Sequence, residues 1–452
     1  MKTTNPTSMT HVKIGMLSLG CPKTLVDSEV ILGKLPASRY EIVDSVTDCD
    51  IALLNTCAFI QEAQQESVDR ILELIELKKQ KQIRAVIVMG CLVQRFPREL
   101  QKDLKEVDAF VGSGEYQKIA EIVDEVAAGK KVFEIGRPGY LTTSGENRIA
   151  LTPAHYRYLK ISEGCDHTCA FCVIPSFRGK HRSRTIEDVV LEAQGLARSG
   201  AKELVLTGQD TSYFGRDHGG EYLLPRLLHE LNGISELEWI RVLYAYPSCL
   251  NKDLMIAMRD LDRVCKYLDM PLQHASDRML TAMNRGITKR RTVDLLRQFR
   301  ETVPNLAIRT TFIVGYPGET EEDFEELMAF MAEMKFERLG IFTYSQEEGS
   351  AAAKLGDQIN EDVKQDRLDR AMRLQQSVSL ENNERMVGKT LKVLVEERDE
   401  KDSQQWIGRS EMDAPEVDGN VIVRSPKQEL RIGEFYPVRI TGCREYDLLG
   451  ER

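Results

Sequence analysis

Tyr156-Arg157-Tyr158-Leu159-Lys160-Ile161-Ser162 runs directly into Glu163-Gly164-Cys165-Asp166-His167-Thr168-Cys169-Ala170-Phe171-Cys172-Val173-Ile174-Pro175. The first seven residues read as a strand, and the strand delivers three thiols in a C-x-x-x-C-x-x-C loop. Three is one short of the four ligands that a closed zinc site or a fully ligated iron-sulfur cluster takes. A cube held by three cysteines leaves one iron open, and an open metal position is where a cofactor or substrate binds. Two other readings compete. A partial zinc knuckle would need His167 or a distant side chain as its fourth ligand, whereas zinc cysteines usually come in C-x-x-C or cysteine-histidine pairs. Inert buried thiols would sit on an apolar face, and the residues between these three are of mixed polarity.

The chain around this loop is long enough, at 452 residues, for about three domains. A hydrophobic content of 42% and a charged content of 29% suit an ordinary soluble protein. No apolar run approaches the roughly 20 residues needed to span a bilayer, and Met1-Lys2-Thr3-Thr4-Asn5 opens onto no signal-like apolar core. The expectation is a cytoplasmic protein with no membrane partner. In that reducing compartment ten cysteines point to metal or redox work rather than disulfides. A net charge of −10 argues against a surface that coats phosphates, and favours basic protein partners.

Upstream of the loop, the apolar runs 12–21, 51–57 and 85–91 read as strands that end on Cys21, Cys57 and Cys91. Helices are expected near 27–35 and, from the spacing of Val68, Ile71, Leu72 and Ile75, over 61–79. A strand over 107–112 and a helix over 116–127 continue the alternation, which predicts a doubly wound parallel sheet. Ligands of such sheets sit outside the carboxyl ends of the strands, so the three cysteines would converge into a second three-thiol site beside Gly20 and Gly90. The competing reading is that small thiols merely suit tight strand ends. Cys49, between two aspartates, lacks the strand-end placement and is left out.

Downstream, candidate strands at 203–207, 239–246, 266–270, 308–314 and 339–344 alternate with helical stretches. Six strand-helix units are too few for a closed eight-stranded barrel, so an open partial (β/α)6 barrel is expected, with its chemistry in the loops after the strands. Gly208, Gln209 and Asp210 occupy one such loop, where Gly208 allows close backbone approach and Gln209 or Asp210 could bind polar groups of a cofactor; a simple polar turn is the competing reading. Gly315 to Thr320 forms another tight turn before a helix. Thr185-Ile186-Glu187-Asp188 resembles a capping box with an aspartate in place of glutamate. The basic run Arg178, Lys180, His181, Arg182 and Arg184 is either a solvated face or charge compensation for the nearby cluster. His274 is read equally as core or site residue. After a long helix over 361–386, short strands at 390–396, 405–409, 420–424 and 436–441 predict a small all-β barrel. Its stretch Glu411-Met412-Asp413-Ala414-Pro415-Glu416-Val417-Asp418 is a poor surface for phosphates and suits a basic protein loop. The expected organisation is thus α/β: a doubly wound domain over 11–130, a linker over 131–150, a partial-barrel core over 151–386 and a β-barrel over 387–452.

The C-x-x-x-C-x-x-C loop, with Phe171 before its third cysteine, resembles the radical S-adenosylmethionine enzymes. Together with the dispersed cysteines and the terminal barrel, it resembles the methylthiotransferases over nearly the whole chain. Ser18-Leu19-Gly20-Cys21-Pro22-Lys23, Asn55-Thr56-Cys57-Ala58-Phe59-Ile60, Gly208-Gln209-Asp210-Thr211-Ser212, Pro271-Leu272-Gln273-His274-Ala275-Ser276 and Gly408-Arg409-Ser410 with Asp413-Ala414-Pro415-Glu416 resemble the branch that modifies an aspartate of the twelfth small-subunit ribosomal protein. The resemblance implies two 4Fe-4S clusters, one on Cys165, Cys169 and Cys172 and an auxiliary one on Cys21, Cys57 and Cys91. It also implies S-adenosylmethionine as cofactor, near Phe171, Gly208, Gln209 and Asp210, and a TRAM-type barrel. Thr24 and Ala58 replace an asparagine and a glycine of that pattern, and neither is expected to touch a ligand. The implied reaction is methylthiolation of the aspartate β-carbon, an unactivated position that calls for radical chemistry, with sulfur from the auxiliary cluster and methyl from a second S-adenosylmethionine. The implied partners are that ribosomal protein, free or in the subunit, and an electron-donor protein, with tRNA disfavoured. The rivals are a tRNA adenosine methylthiotransferase and a non-catalytic iron-sulfur or zinc scaffold that docks on ribosomes.

Overall fold

A computed structural model describes residues 11–452; the polar stretch at 1–10 lies outside the described residues. The chain divides into two compact units, one of residues up to 151 with Val173–Lys180, the other of Thr152–Cys172 with His181–Arg452. Among the described residues no helix is long and apolar enough to cross a membrane.

In the first unit, β1 (Val12–Ser18), β2 (Tyr40–Val43), β3 (Ile51–Thr56), β4 (Ala85–Gly90), β5 (Ala109–Gly112) and β6 (Val132–Glu134) form one parallel sheet in the order β2-β1-β3-β4-β5-β6. Their continuous apolar runs follow from burial on both faces. Ile14, Ile51, Leu53, Ile87 and Met89 enter one core, while Ala52, Leu54, Val86, Val88 and Phe110 enter the other. The strand order reverses between β1 and β3, the crevice at which such sheets bind ligands. β1 stops at Ser18 rather than on its cysteine, because Gly20 turns at φ +91° and Cys21 precedes the helix Pro22–Gly33. That helix begins earlier than 27, with Pro22 in the first turn, where its missing N–H costs nothing.

The expected linker over 131–150 behaves differently. It supplies β6 and then straps back onto the unit: Leu151 N donates to Glu29 Oε1 (2.8 Å), Ile149 N to Glu29 O (3.0 Å), and Arg148 pairs with the buried Glu29 carboxylate. Val173–Lys180 also packs here, with Val173 and Phe177 in the second core.

The second unit starts with β7 (Tyr156–Lys160) and a small hairpin of β8 (Ser162–Glu163) and β9 (Arg182–Ser183). It continues through β10 (Glu203–Thr207), β11 (Trp239–Val242), β12 (Val264–Asp269), β13 (Ala307–Val314) and β14 (Arg338–Thr343). These pair in parallel as β14-β13-β12-β11-β10-β7, an open six-stranded sheet with helices after the strands. Leu159, Leu204, Leu206, Ile240, Val242, Leu268, Ile308 and Phe312 face the helices in one core. Alternate residues of the same strands, including Lys160, Glu203, Arg241 and Asp269, are buried on the opposite, polar face. The helix Ile186–Arg198 is capped by Thr185, which accepts from Asp188 N, but Asp188 turns its carboxylate to Arg184 instead of completing a box. Thr320 and Asp323 do form a complete box on the helix Glu321–Met334.

After the helix Glu361–Glu384, β15 (Thr390–Arg398), β16 (Gln405–Ser410), β17 (Val421–Arg424), β18 (Phe435–Cys443) and β19 (Leu448–Glu451) close a barrel in the order β15-β16-β17-β19-β18. The acidic stretch 411–418 does not present a docking face for a basic loop, as expected from its charge. It is consumed within this unit. Asp413 pairs with Arg338 (2.7 Å), Asp418 with Arg309 (3.3 Å) and with Tyr267 OH (2.6 Å), and Glu416 with Tyr156 OH (2.7 Å). Arg241 Nη1 donates to Glu411 O (2.8 Å), and Glu203 is shared between Arg241 and Arg409, both at 2.7 Å. Five of the six strands of this sheet, all but β10, contribute a partner to the acidic loop, and β10 joins through Glu203 to Arg409 of the small barrel.

Two consequences can be measured. Arg338→Met leaves Asp413 buried without its cation and is expected to cost about 3–5 kcal/mol in urea denaturation. Burial alone would raise Glu396, but hydrogen bonds from His155 and Arg409 bring it down to about 2. A depressed carboxyl stabilises above its unfolded value of 4.5 and loses that contribution as pH falls toward about 2. Glu396→Gln is therefore expected to lower stability by ~3 kcal/mol at neutral pH and hardly at all below about pH 2, which denaturation across pH checks.

Candidate metal centres

All ten cysteines are free thiols. In the first unit the switch-point crevice collects three of them. Cys21 follows β1, Cys57 follows β3 and Cys91 opens the short helix after β4. A Cβ on Gly20 would lie 2.9 Å from Cys57 Cβ and 3.0 Å from its sulfur, so glycine is what lets the Cys57 thiol lie against the turn that carries Cys21. Gly90, at φ +100°, likewise has the Asn55 side chain where a Cβ would stand. Cys57 is braced through its backbone: its N–H donates to Ser67 Oγ (3.1 Å) and its carbonyl accepts from the same hydroxyl (3.0 Å).

The thiols feel one another. Burial pushes Cys57 up, and the charge of Cys21 adds to the rise. Cys91 is pushed up to about 12 by burial, opposed by Arg178 and reinforced by Cys57 and Cys21. Cys21 is the exception: burial works against it, yet Lys23, Thr24 and Arg178 bring it below the ordinary thiol value. Thr24 was not expected to touch a ligand, but its Oγ1 lies 3.6 Å from Cys21 Sγ. Clustered thiols of which two, Cys57 and Cys91, have their proton affinity raised by burial and by neighbouring sulfur are the donor set a cation reverses, since a bound metal deprotonates its thiols. The arrangement fits a cluster held at three corners.

Three members of the basic run leave the solvated face, Arg178, His181 and Arg184 being 5%, 4% and 3% exposed, while Lys180 stays exposed and Arg182 is half-buried. Arg178 lies in the first unit, where Nε and Nη2 donate to Cys91 Sγ at 3.2 and 3.0 Å and Nη1 donates to Asp27 Oδ2 at 2.9 Å. Arg184 instead serves the second unit, joining Lys160 O to Asp188 and Glu192.

In the second unit Cys165, Cys169 and Cys172 stand half-buried on the loop after β8, with Gly164 at φ +80° as the turn. The loop is pinned at Ala170, whose N–H donates to Met283 O (3.0 Å) and whose carbonyl accepts from Ala352 N (2.8 Å). Phe171 packs beside Met279, Met283, Tyr316 and Tyr344. Burial raises Cys165 to about 12, partly offset by the His167 N–H and reinforced by Asp210 and the other two thiols. Arg285 Nη1 donates to Cys169 Sγ (3.2 Å), and its guanidinium lies 4.2 Å from the Tyr246 ring centroid. No motif marked Arg285 or Tyr246 in the sequence; Tyr246 follows β11 and Arg285 follows the helix Asp277–Ala282, and only the fold brings them to Cys169.

His167 is engaged elsewhere. Its ring stacks on Tyr246 at 3.6 Å and its Nε2 meets Asp210 Oδ2 at 2.6 Å. The other Asp210 oxygen accepts from Ser212 N and Oγ (2.9 and 2.5 Å). Gln209 donates to Glu163 Oε1 (2.6 Å), whose other oxygen pairs with buried Lys160 (2.9 Å). Gly208 lies so close to Ser162 that a Cβ would meet its hydroxyl at 2.5 Å. His274 is a core residue: Nδ1 accepts from Ser276 N (3.0 Å) and Nε2 meets Glu319 (3.2 Å) in a fully enclosed setting. Cys49, set aside in the sequence, donates to Val46 O at 3.1 Å.

Three family models match the chain: the Radical SAM superfamily over 159–331, the Uncharacterized protein family UPF0004 over 13–112 and the TRAM domain over 387–452. The ribosomal protein uS12 methylthiotransferase RimO of Pelotomaculum thermopropionicum is 48% identical over 440 residues, covering 97% of this chain and 99% of the relative. RimO of Geobacter sulfurreducens is 45% identical, covering 97% and 98%. Among solved structures, the radical S-adenosylmethionine methyltransferase TsrM of Kitasatospora setae, with tryptophan and a S-adenosylmethionine analogue bound, superposes with a TM-score of 0.56 at 14% identity, covering 74% of this chain and 73% of that one. That likeness shows a shared fold. The full-length identity to the RimO enzymes shows more: the chain belongs to the radical S-adenosylmethionine methylthiotransferase family.

Proposed function

We propose that this protein methylthiolates the β-carbon of an aspartate in ribosomal protein uS12. The observation that carries the reading is the pair of three-thiol groups, one at the switch point of the first sheet and one on the loop that follows β8. Cys21, Cys57 and Cys91 hold the auxiliary 4Fe-4S cluster, and Cys165, Cys169 and Cys172 hold the radical cluster. When bound, these clusters and S-adenosylmethionine supply the one-electron chemistry, the sulfur and the methyl group that an unactivated carbon requires. The division 11–130, 151–386 and 387–452 assigns the auxiliary site, the radical core and the TRAM barrel to separate stretches of chain.

The chain's own residues prepare these sites. Arg285 donates to the Cys169 sulfur, and Tyr246 holds its guanidinium in place by lying against it. Glu163, oriented by Lys160, Gln209 and the Gly164 N–H, fixes the polar wall beside Cys165. Gly208, Gln209 and Asp210 would receive S-adenosylmethionine, with Phe171 packing the loop against Met279, Met283, Tyr316 and Tyr344. The three loop thiols are half-buried, so a cofactor reaches them without the unit opening. The uS12 substrate, an electron-donor protein and the reducing cytoplasm belong to the same reading.

The test is anaerobic reconstitution with iron and sulfide, reduction, addition of S-adenosylmethionine, and mass spectrometry of purified uS12 with tRNA in parallel. A methylthio mass gain on one aspartate of uS12 is expected. A gain on tRNA adenosine alone would place the enzyme in the other branch, and no cleavage of S-adenosylmethionine would leave only a scaffold. Gly20→Ala, which presses a Cβ onto Cys57, is expected to lower iron uptake at the auxiliary site while leaving S-adenosylmethionine cleavage intact; iron analysis and the yield of 5′-deoxyadenosine check this.

A further inference from the structure

The first unit contains a cation that the established family chemistry does not account for. Arg178 is 5% exposed, and it directs two N–H donors, Nε and Nη2, at the sulfur of Cys91 while Nη1 meets the wholly buried Asp27. A neutral thiol is a weak acceptor, so two guanidinium donors converging on it make a poor match. On a metal-bound thiolate the same contacts become charge-assisted and strong. Asp27 and Cys91 lie on different elements, the helix Pro22–Gly33 and the helix Cys91–Arg95, so the guanidinium joins two walls of the crevice.

The three sulfurs are also treated unequally. Cys91 receives the arginine side chain, Cys21 meets the Thr24 hydroxyl at 3.6 Å, and the Cys57 thiol meets the backbone N–H groups of Ala58 and Phe59. Hydrogen bonds to a coordinating sulfur, a nearby positive charge and burial are the protein's means of setting a cluster's reduction potential. All three meet at Cys91.

We propose that Arg178 is a positioning residue that aims the Cys91 sulfur and raises the reduction potential of the auxiliary cluster. The proposal rests on the auxiliary-cluster reading above. Arginine suits this place better than lysine, because its planar fork presents two donors to one acceptor while a third reaches Asp27. Asp27 holds the fork in register, which is why the carboxylate is buried beside a site of anionic sulfurs.

The experiment uses the full chain carrying Cys165→Ala, Cys169→Ala and Cys172→Ala, so that any cluster observed is the auxiliary one. Iron and sulfide content are measured first, then the midpoint potential by titration followed with electron paramagnetic resonance. Arg178→Gln is expected to be reduced at a more negative potential with an altered spectrum. Arg178→Lys is expected to shift the same way but less, since it restores the charge without the fork. Because Arg178→Gln removes the guanidinium from Asp27, Asp27→Asn with Arg178→Gln, which removes both charges, accompanies it and is expected to show the negative shift as well. Loss of iron from Arg178→Gln and from the double variant, with retention in Arg178→Lys, would support the same role. Full iron content with unchanged potential and spectrum in both Arg178→Gln and the double variant would overturn it. Absence of a cluster from the parent would overturn the auxiliary-cluster reading instead.

Discussion

Gathering three sulfur anions at one buried point is unfavourable unless a positive charge lies among them, and both units of this protein are built to bring such sulfurs together. In the first unit the cost is visible in the proton affinities: burial pushes Cys57 and Cys91 up, the charge of Cys21 adds to both, and that of Cys57 adds to Cys91. Backbone geometry makes the approach possible, since Gly20 and Gly90 leave room where a side chain would collide. In the second unit the thiols stay half-buried and share a short loop, consistent with a site that admits a cofactor. Each group receives one arginine on one of its sulfurs, Arg178 on Cys91 and Arg285 on Cys169. The two sites therefore solve the same electrostatic problem with the same side chain drawn from unrelated elements.

The distribution of charge elsewhere serves rigidity. A net charge of −10 and an acidic loop suggest a surface that attracts cations, yet Asp413 and Asp418 of the loop at 411–418 are paired from within by Arg338 and Arg309. Burial alone would raise Glu203, and it is held below the ordinary carboxylate range by Arg409 and Arg241. Buried pairs of this kind add little net stability against a well-packed apolar alternative, but removal of one partner is severe. Their effect is to fix where the small barrel sits on the N-terminal ends of the six strands.

Much of this was legible in the sequence, and the reasons differ by element. The strands β3, β4 and β10 are continuous apolar runs, and burial on both faces leaves few other readings for them. The helix Gln61–Lys79 has the expected bounds, with Ile71 and Ile75 buried, although Leu72 is exposed and Leu74 is buried instead. The edge strands Tyr40–Val43 and Val132–Glu134 and the closing strand Leu448–Glu451 escaped notice because three or four residues carry too little pattern to register. The cysteines stood out because thiols at strand ends in an alternating pattern have few structural reasons to recur. Arg285, Tyr246 and the engagement of Asp27 by Arg178 did not stand out, because their roles arise only when segments far apart in sequence converge. The acidic loop misled for the same reason: its composition is local, while its partners lie on five different strands and are set by the fold.

The central claim is that the two cysteine sets are independent three-ligand sites. Iron and sulfide quantitation with Mössbauer spectroscopy on the reconstituted wild-type chain, and on chains with either cysteine set replaced by alanine, tests it most directly. The account predicts two cubes' worth of iron in the wild type and one in each variant, with the two single-cluster spectra summing to that of the wild type. Loss of all iron on removal of one set, or a tetrahedral mononuclear site in either variant, would contradict it.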